Sequence, residues 1–182
     1  MIAILETDRL IIKPVIAQDL EAIHTLHLIP EVDKYNTAGI PKDIEETRAS
    51  LAGWLAAHEQ ENPDRYFLSV FLRNHQMFIG MMGMKLSPEK YKSGEIWYKF
   101  LPQYWNNGYG TEAASRLIRF GFDDLNLHRI EAGCAVANIG SVRILEKVGM
   151  TLEGRKRKAL PLKSGWSDNF EYAILSTEFI GL

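Results

Sequence analysis

The tract Gln103-Tyr-Trp-Asn-Asn-Gly-Tyr-Gly-Thr-Glu112 constrains this chain more than any other stretch. It lies between a strand-like run, Glu95–Leu101, and a strongly patterned helical one. From Gly110 to Leu125, the residues Ala113, Ala114, Leu117, Ile118, Gly121, Phe122 and Leu125 recur at i, i+3, i+4, i+7 spacing. That period predicts an amphipathic helix. Arg129–Val136 follows and reads as a strand, with Ile130, Ala132, Cys134 and Val136 on one face. A strand, a glycine-bearing loop, a helix and a second strand make a crossover unit. Its two strands are expected to pair in parallel with a right-handed connection. The class is therefore α/β.

Other elements flank this unit. Leu10–Lys13 is a short strand ended by Pro14, which has no N–H for a ladder. Asp19–Leu28 carries Leu20, Ile23, Leu26 and Leu28 at helical spacing. Asp43 and Glu46, after Pro41, predict a capping box. The helix it opens should bury Leu51, Trp54 and Leu55 and stop before Pro63. Tyr66–Leu72 and Met77–Leu86 predict a hairpin around Arg73-Asn-His-Gln76. Ile139–Val148 reads as a helix with Gly149 at its left-handed cap. Leu152–Leu160 and Phe170–Leu175 read as closing strands. The expected order is β-α-α-β-β-β-α-β-α-β-β. It gives a single mixed sheet of about six to seven strands with helices on both faces, in one domain over residues 1–182.

Composition narrows the setting. No apolar run approaches the roughly 20 residues a membrane span needs. The opening MIAILETDRLIIKP does not read as a signal peptide. Cys134 is the single cysteine, so no intrachain disulfide forms and a reducing compartment fits. Net charge is −2, which gives no basic footprint for nucleic acid. The expected location is cytoplasmic, away from membranes.

Gly108 and Gly110 let backbone N–H groups point into a concavity and approach an anion. The helix start adds its positive dipole end. Three readings compete on the loop alone. One is a plain connecting turn. A second is a dinucleotide fingerprint, since Gly108-x-Gly110-x-x-Ala113 matches its form. That fingerprint follows its strand directly, whereas Pro102–Asn107 intervene here. The third is a cradle for the diphosphate of coenzyme A.

Further segments bear on the choice. Trp105-Asn-Asn-Gly-Tyr-Gly110 is followed by Leu127-His-Arg-Ile-Glu-Ala132, then Asn138-x-x-Ser141, then Leu145-Glu-Lys-Val-Gly-Met150 and Leu152-Glu-Gly154. The opening Glu6-Thr-Asp-Arg-Leu10 belongs to the same set. Together these resemble the GCN5-related N-acetyltransferase (GNAT) superfamily, and within it the branch of ribosomal-protein N-terminal acetyltransferases. The loop aligns with that family's phosphate motif, [RQ]-x-x-G-x-[GA]. Trp105 replaces the usual Arg or Gln, Asn106 stands where the branch often has Gly, and Met150 replaces an aromatic residue.

The resemblance implies acetyl-coenzyme A as co-substrate, no metal, and a primary amine as acceptor. That amine is a protein N-terminus or a small molecule, and the chain is a monomer or homodimer. Trp105, Asn107, Gly108, Tyr109, Gly110 and Thr111 would hold the cofactor at the loop. The strand end from Tyr98 to Leu101, with Phe100 and Leu101 foremost, would pair with pantetheine in a V-shaped opening between the strands Glu95–Leu101 and Arg129–Val136. Asn138 and Ser141 would stand near the thiol, Ser141 giving the leaving thiolate a proton or a hydrogen bond and Asn138 holding pantetheine or an ordered water. An amine with pKa near ~8 or ~10.4 is mostly protonated at pH 7, so a base is needed. Glu95 is the candidate. Tyr104 and Tyr172 are alternative acids. Pro30–Pro41 and Ser87–Gly94 look like acceptor loops. A non-catalytic acyl-coenzyme A binding module is the alternative from another class.

Several features are read as structural. Cys134 is expected to be a buried core thiol. His24 and His27 are expected on the surface, without the partners a metal site needs. Arg155-Lys-Arg-Lys158 is expected on a solvated hairpin. Trp54, Trp97, Trp105 and Trp166 are expected to pack before they bind.

Overall fold

In the computed structural model, which describes residues 4–180, the chain forms one eight-stranded sheet. The strands are β1 (Leu5–Glu6), β2 (Leu10–Pro14), β3 (Arg65–Leu72), β4 (Met77–Leu86), β5 (Ser93–Phe100), β6 (Arg129–Ala135), β7 (Thr151–Leu162) and β8 (Gly165–Leu175). The helices are α1 (Leu20–His27), α2 (Pro30–Asp33), α3 (Ile44–His58), α4 (Tyr109–Asp123) and α5 (Ile139–Lys147). The spatial order is β1-β2-β3-β4-β5-β6-β8-β7. The ends of the 1–182 span fall outside the described residues.

Side-chain alternation sends neighbouring strand residues to opposite faces. On β4, Met82 and Met84 join the core beneath α4 and α5, while Met81 joins the one beneath α1 and α3. On β5, Ile96 and Phe100 take the α4 face, and Trp97 the other, with Leu101 just past the strand end. Ala113 and Ala114 are fully buried. Their small size lets the first half of α4 lie close on the sheet. Leu117 and Ile118 then bury completely, each at roughly 1.5–3 kcal/mol.

All pairings are antiparallel except β5 with β6, the crossover pair. That parallel ladder is short. Only Ser93↔Arg129, Gly94↔Ile130 and Glu95↔Glu131 are in register. Beyond them β6 stays with β8, through Ala132↔Tyr172 to Ala135↔Asn169, and leaves β5. The expected opening is therefore present. The nearby bulge lies one strand further away: pairing steps from Val70↔Gly80 to Phe71↔Phe78, leaving Ile79 as an extra residue on β4.

The sheet has one more strand than expected. β1 is two residues long, paired Leu5↔Ile12 and Glu6↔Ile11, too short to carry a period. The loop read over Pro30–Pro41 begins with the short α2, started by proline at its first turn. The capping box of α3 is displaced. Asp43 accepts from the Glu46 N–H at 3.0 Å, but the Glu46 carboxylate returns to Lys42, not to Asp43. Leu51 is buried, while Trp54 and Leu55 are half-buried against the same core. The closing hairpin is longer than expected. β7 is exposed at almost every position, so period-2 alternation could not mark its ends.

Buried Asp19, just before α1, ties this layer to the sheet. Its Oδ2 accepts from the Ser69 hydroxyl at 2.7 Å and from the Ile16 N–H at 3.1 Å. Asp19→Ala orphans both donors and is expected to cost about 2 kcal/mol. Urea unfolding measures this, and a change below ~0.5 kcal/mol would show that the contact holds nothing.

Candidate active site

The loop from β5 to α4 is built from backbone exceptions. After the turn Pro102–Tyr104, the Trp105 indole donates to the Phe100 carbonyl at 2.8 Å and folds the loop onto the strand end. Asn106 has φ +61° and Gly108 φ +81°. Both are left-handed, a region that glycine enters freely and asparagine tolerates. Asn106 thus holds the conformation that the usual glycine would. Gly108 caps α4 without a side-chain acceptor. The first helical bond runs from the Glu112 N–H to the Gly108 carbonyl. The N–H groups of Tyr109, Gly110 and Thr111 precede it and have no intrahelical acceptor. Gly110 has a different reason to be glycine: a Cβ there would come within 2.7 Å of Ile144 Cδ1 on α5. A side chain there would displace the Ile144 tip, so glycine lets α4 and α5 approach without that adjustment.

The parted strands supply a second set of backbone groups. Leu101 donates across to Ile79 on β4. Alternation therefore turns the N–H groups of Tyr98 and Phe100 the other way, toward the gap left by β6. Tyr98 spans that gap, its hydroxyl donating to the Ser141 carbonyl on α5 at 3.4 Å. Burial raises the Tyr98 pKa and keeps the phenol neutral. Asn138 caps α5, its Oδ1 accepting from the Ser141 N–H at 3.2 Å.

The loop, gap and cap open into one cavity of about 1060 Å³, which continues to α1, α2 and α3. Glu95 lines it at the last paired position of β5 and β6, where the strands part. Its other end is lined by His27, Trp54, Trp97 and Lys99. Burial, with the charges of Lys99 and His24, lowers the His27 pKa to about 4. Burial also lowers that of Lys99, against the pull of Asp33.

The sequence matches the family described as "Acetyltransferase (GNAT) domain" over residues 9–151. The chain belongs to the GNAT acetyltransferase family. It is 33% identical over 174 residues to the uncharacterized N-acetyltransferase YnaD of Bacillus subtilis (strain 168), covering 95% of this chain and 97% of that one. A GNAT-family acetyltransferase from Bacillus anthracis has the same fold, with TM-score 0.83 and 31% identity, over 97% of this chain and 100% of that one. RimL, a ribosomal L7/L12 alpha-N-protein acetyltransferase solved with coenzyme A, shares the fold at TM-score 0.85 and 19% identity, over 95% and 98%. Membership makes this chain an N-acetyltransferase and removes the dinucleotide reading of the loop.

The GNAT cavity gathers Glu95, Phe100, Trp105, Gly108, Tyr109, Gly110, Thr111, Asn138 and Ser141. Two expected residues are not among those lining it. Leu101 packs toward α1 and α3 and spends its N–H on Ile79. Asn107 faces outward, its carbonyl bound by Arg9. Tyr104 lines the cavity, and Tyr172 is buried in the core. Cys134 is buried, which pushes its thiol up to about 11, although it touches the cavity wall. Trp54, Trp97 and Trp105 line the cavity, whereas Trp166 is exposed elsewhere. The four cations Arg155–Lys158 are exposed on β7, two of them paired with Asp168 and Glu171.

The histidines correct the sequence reading. They face inward, with His24 Nδ1 2.8 Å from the Thr47 hydroxyl and the His27 ring edge-on to Trp54. Helix period alone does not say which side of α1 another helix will cover. Tyr98 and Lys99 belong to the expected strand end, but the reach of Tyr98 to α5 and the contacts of Arg9 with the loop depend on partners distant in sequence.

Folded His27 takes its proton only near pH 4, whereas the unfolded chain takes it near 6.5. Protons in that window favour unfolding, so stability is lost as pH falls. The expected loss between pH 7 and pH 5 is about 2 kcal/mol, by linkage. Urea midpoints at both pH values measure it. His27→Gln should flatten the difference, and an unchanged pH dependence would exclude His27 as its source.

Proposed function

We propose that this GNAT enzyme transfers the acetyl group of acetyl-coenzyme A to a primary amine, by direct attack in a ternary complex. The amine is a protein N-terminus or a small molecule, and the setting is the cytoplasm. The observation that carries this reading is the joining of two backbone devices in one cavity. A helix start with unpaired N–H groups lies beside a strand edge with no partner.

The residues present fit the co-substrate. The N–H groups of Gly108 to Thr111 suit a diphosphate, as helix starts generally do. The unpartnered edge at Tyr98 and Phe100 suits the amides of a pantetheine chain, which need strand-like partners. One of those N–H groups also serves the thioester oxygen. Such a donor stabilises the negative charge that grows there as the amine adds to the carbonyl carbon.

Glu95 stands at the apex of the opening and takes the proton of the attacking amine, directly or through water. Collapse of the tetrahedral adduct breaks the carbon–sulfur bond. The Ser141 hydroxyl, held at the start of α5 by the Asn138 cap, donates a hydrogen bond to the departing thiolate, or passes it a proton and takes one back from water. The acceptor enters from the end lined by α1, α2 and α3, where the surface is partly aromatic.

Calorimetry with coenzyme A, using NAD as control, tests the cradle. Binding of coenzyme A alone is expected, and its absence would remove the reading. Glu95→Gln is expected to lower kcat about 100-fold, and Ser141→Ala about tenfold, the scale of general acid–base catalysis. Coenzyme A affinity should stay within about twofold in both, since neither touches the phosphate loop. Unchanged rates in both would dismiss these roles. Binding without turnover of any amine would favour an acyl-coenzyme A sensing module.

A further inference from the structure

The opening motif Glu6-Thr-Asp-Arg9-Leu10 has no part in the chemistry above, yet the fold brings it onto the phosphate loop. The turn between β1 and β2 lays Arg9 against the outer side of that loop, about 100 residues later in sequence. Arg9 Nε and Nη2 each lie 2.6 Å from Glu112 Oε2. Its Nη1 donates to the Asn107 carbonyl at 3.1 Å. Its guanidinium lies 4.6 Å from the centroid of the Tyr109 ring. Its backbone N–H donates to Glu112 Oε1 at 3.1 Å, which also accepts from the Thr7 hydroxyl at 2.5 Å. A single side chain thus touches Asn107, Tyr109 and Glu112, on both sides of the turn at Gly108.

Two consequences follow for an anion on the inner side. In a planar trans peptide, the C=O and the next N–H point in opposite directions. Holding the Asn107 carbonyl outward therefore turns the Gly108 N–H inward. Glu112 sits in the first turn of α4, where the helix dipole favours any negative charge. Left free, its carboxylate would compete for the same field and repel a phosphate. Partial burial pushes the Glu112 pKa up, but the hydrogen bonds from Thr7 and Arg9 outweigh this and hold it below the usual range. The ion is present and pinned on the outer side. The side chains of Arg9 and Glu112 are 48% and 19% exposed, so the pair adds little to global stability. What it fixes is local geometry.

We propose that Arg9 is a positioning residue for diphosphate-bearing acyl donors, acting through the Asn107–Gly108 peptide and the Glu112 carboxylate. This rests on the acetyl-coenzyme A reading given above. The role is selective, because a donor without a diphosphate does not use the loop.

The test compares acetyl-coenzyme A with S-acetylpantetheine on wild type, Arg9→Ala and Arg9→Lys. With acetyl-coenzyme A, Arg9→Ala is expected to lose about tenfold in kcat/KM through KM, the scale of one charge-assisted contact. With S-acetylpantetheine, kcat/KM should stay within about twofold of wild type. Arg9→Lys keeps the charge but lacks the planar fork, and should lose nearly as much; it also serves if the alanine variant does not fold. Equal losses on both donors, or no loss on acetyl-coenzyme A, would overturn the proposal. If wild type turns over neither donor, the transfer reading fails by itself. Calorimetry of coenzyme A then decides the role of Arg9: about tenfold weaker binding supports it, and equal binding overturns it.

Discussion

Everything at this site depends on a ladder that stops early. β5 and β6 share three paired positions and then part. A backbone edge without a partner is normally a liability, because each N–H and C=O facing it needs a substitute for the lost bond. Here the protein fills only part of that need. The Trp105 indole takes the Phe100 carbonyl, and the Tyr98 hydroxyl reaches α5 across the gap. The rest of the edge lines the cavity, open to an extended chain with amide groups.

The early stop has a visible cause. β6 is committed to β8 along seven paired positions, from Arg129↔Leu175 to Ala135↔Asn169. β5 is committed to β4 along another seven, from Gly80↔Phe100 to Leu86↔Gly94. Each strand follows its stronger antiparallel neighbour. The bulge at Ile79 adds bending on the β4 side. α4 then packs beneath the junction, and its first turn arrives beside the gap. Gly110 eases that arrival, since a side chain there would have to displace the tip of Ile144.

Local signals in the sequence were enough to mark most of this. The amphipathic stripe of α4, the alternation in β6 and the left-handed glycine after α5 each rest on near neighbours. Those elements were found within a residue or two. The loop was legible because glycine spacing reports backbone conformation directly. What stayed hidden needs distant partners. Arg9 is one letter of the opening motif until Glu112 is placed beside it. His27 reads as a surface histidine until α3 covers it with Trp54. The sequence suggests anion access for Gly110, and its contact with Ile144 on α5 needs a partner distant in sequence. Leu101 was expected at the splayed strand end, and alternation sends its side chain to the opposite face from Phe100.

An open sheet also has two outer rims, and both are blunted here. One rim is β1, only two residues long. The other is β7, long but irregular, with pairing shifts at Leu152/Gly154 and Lys156/Leu160 and a left-handed Lys158. Arg155, Lys156, Arg157 and Lys158 crowd the same stretch. Short, kinked and cationic rims are poor templates for strand addition by a neighbouring molecule. Among the described residues, the regular strand edge left unpaired where β5 and β6 part is thus turned inward, where a slender cofactor can reach it and another protein's sheet cannot.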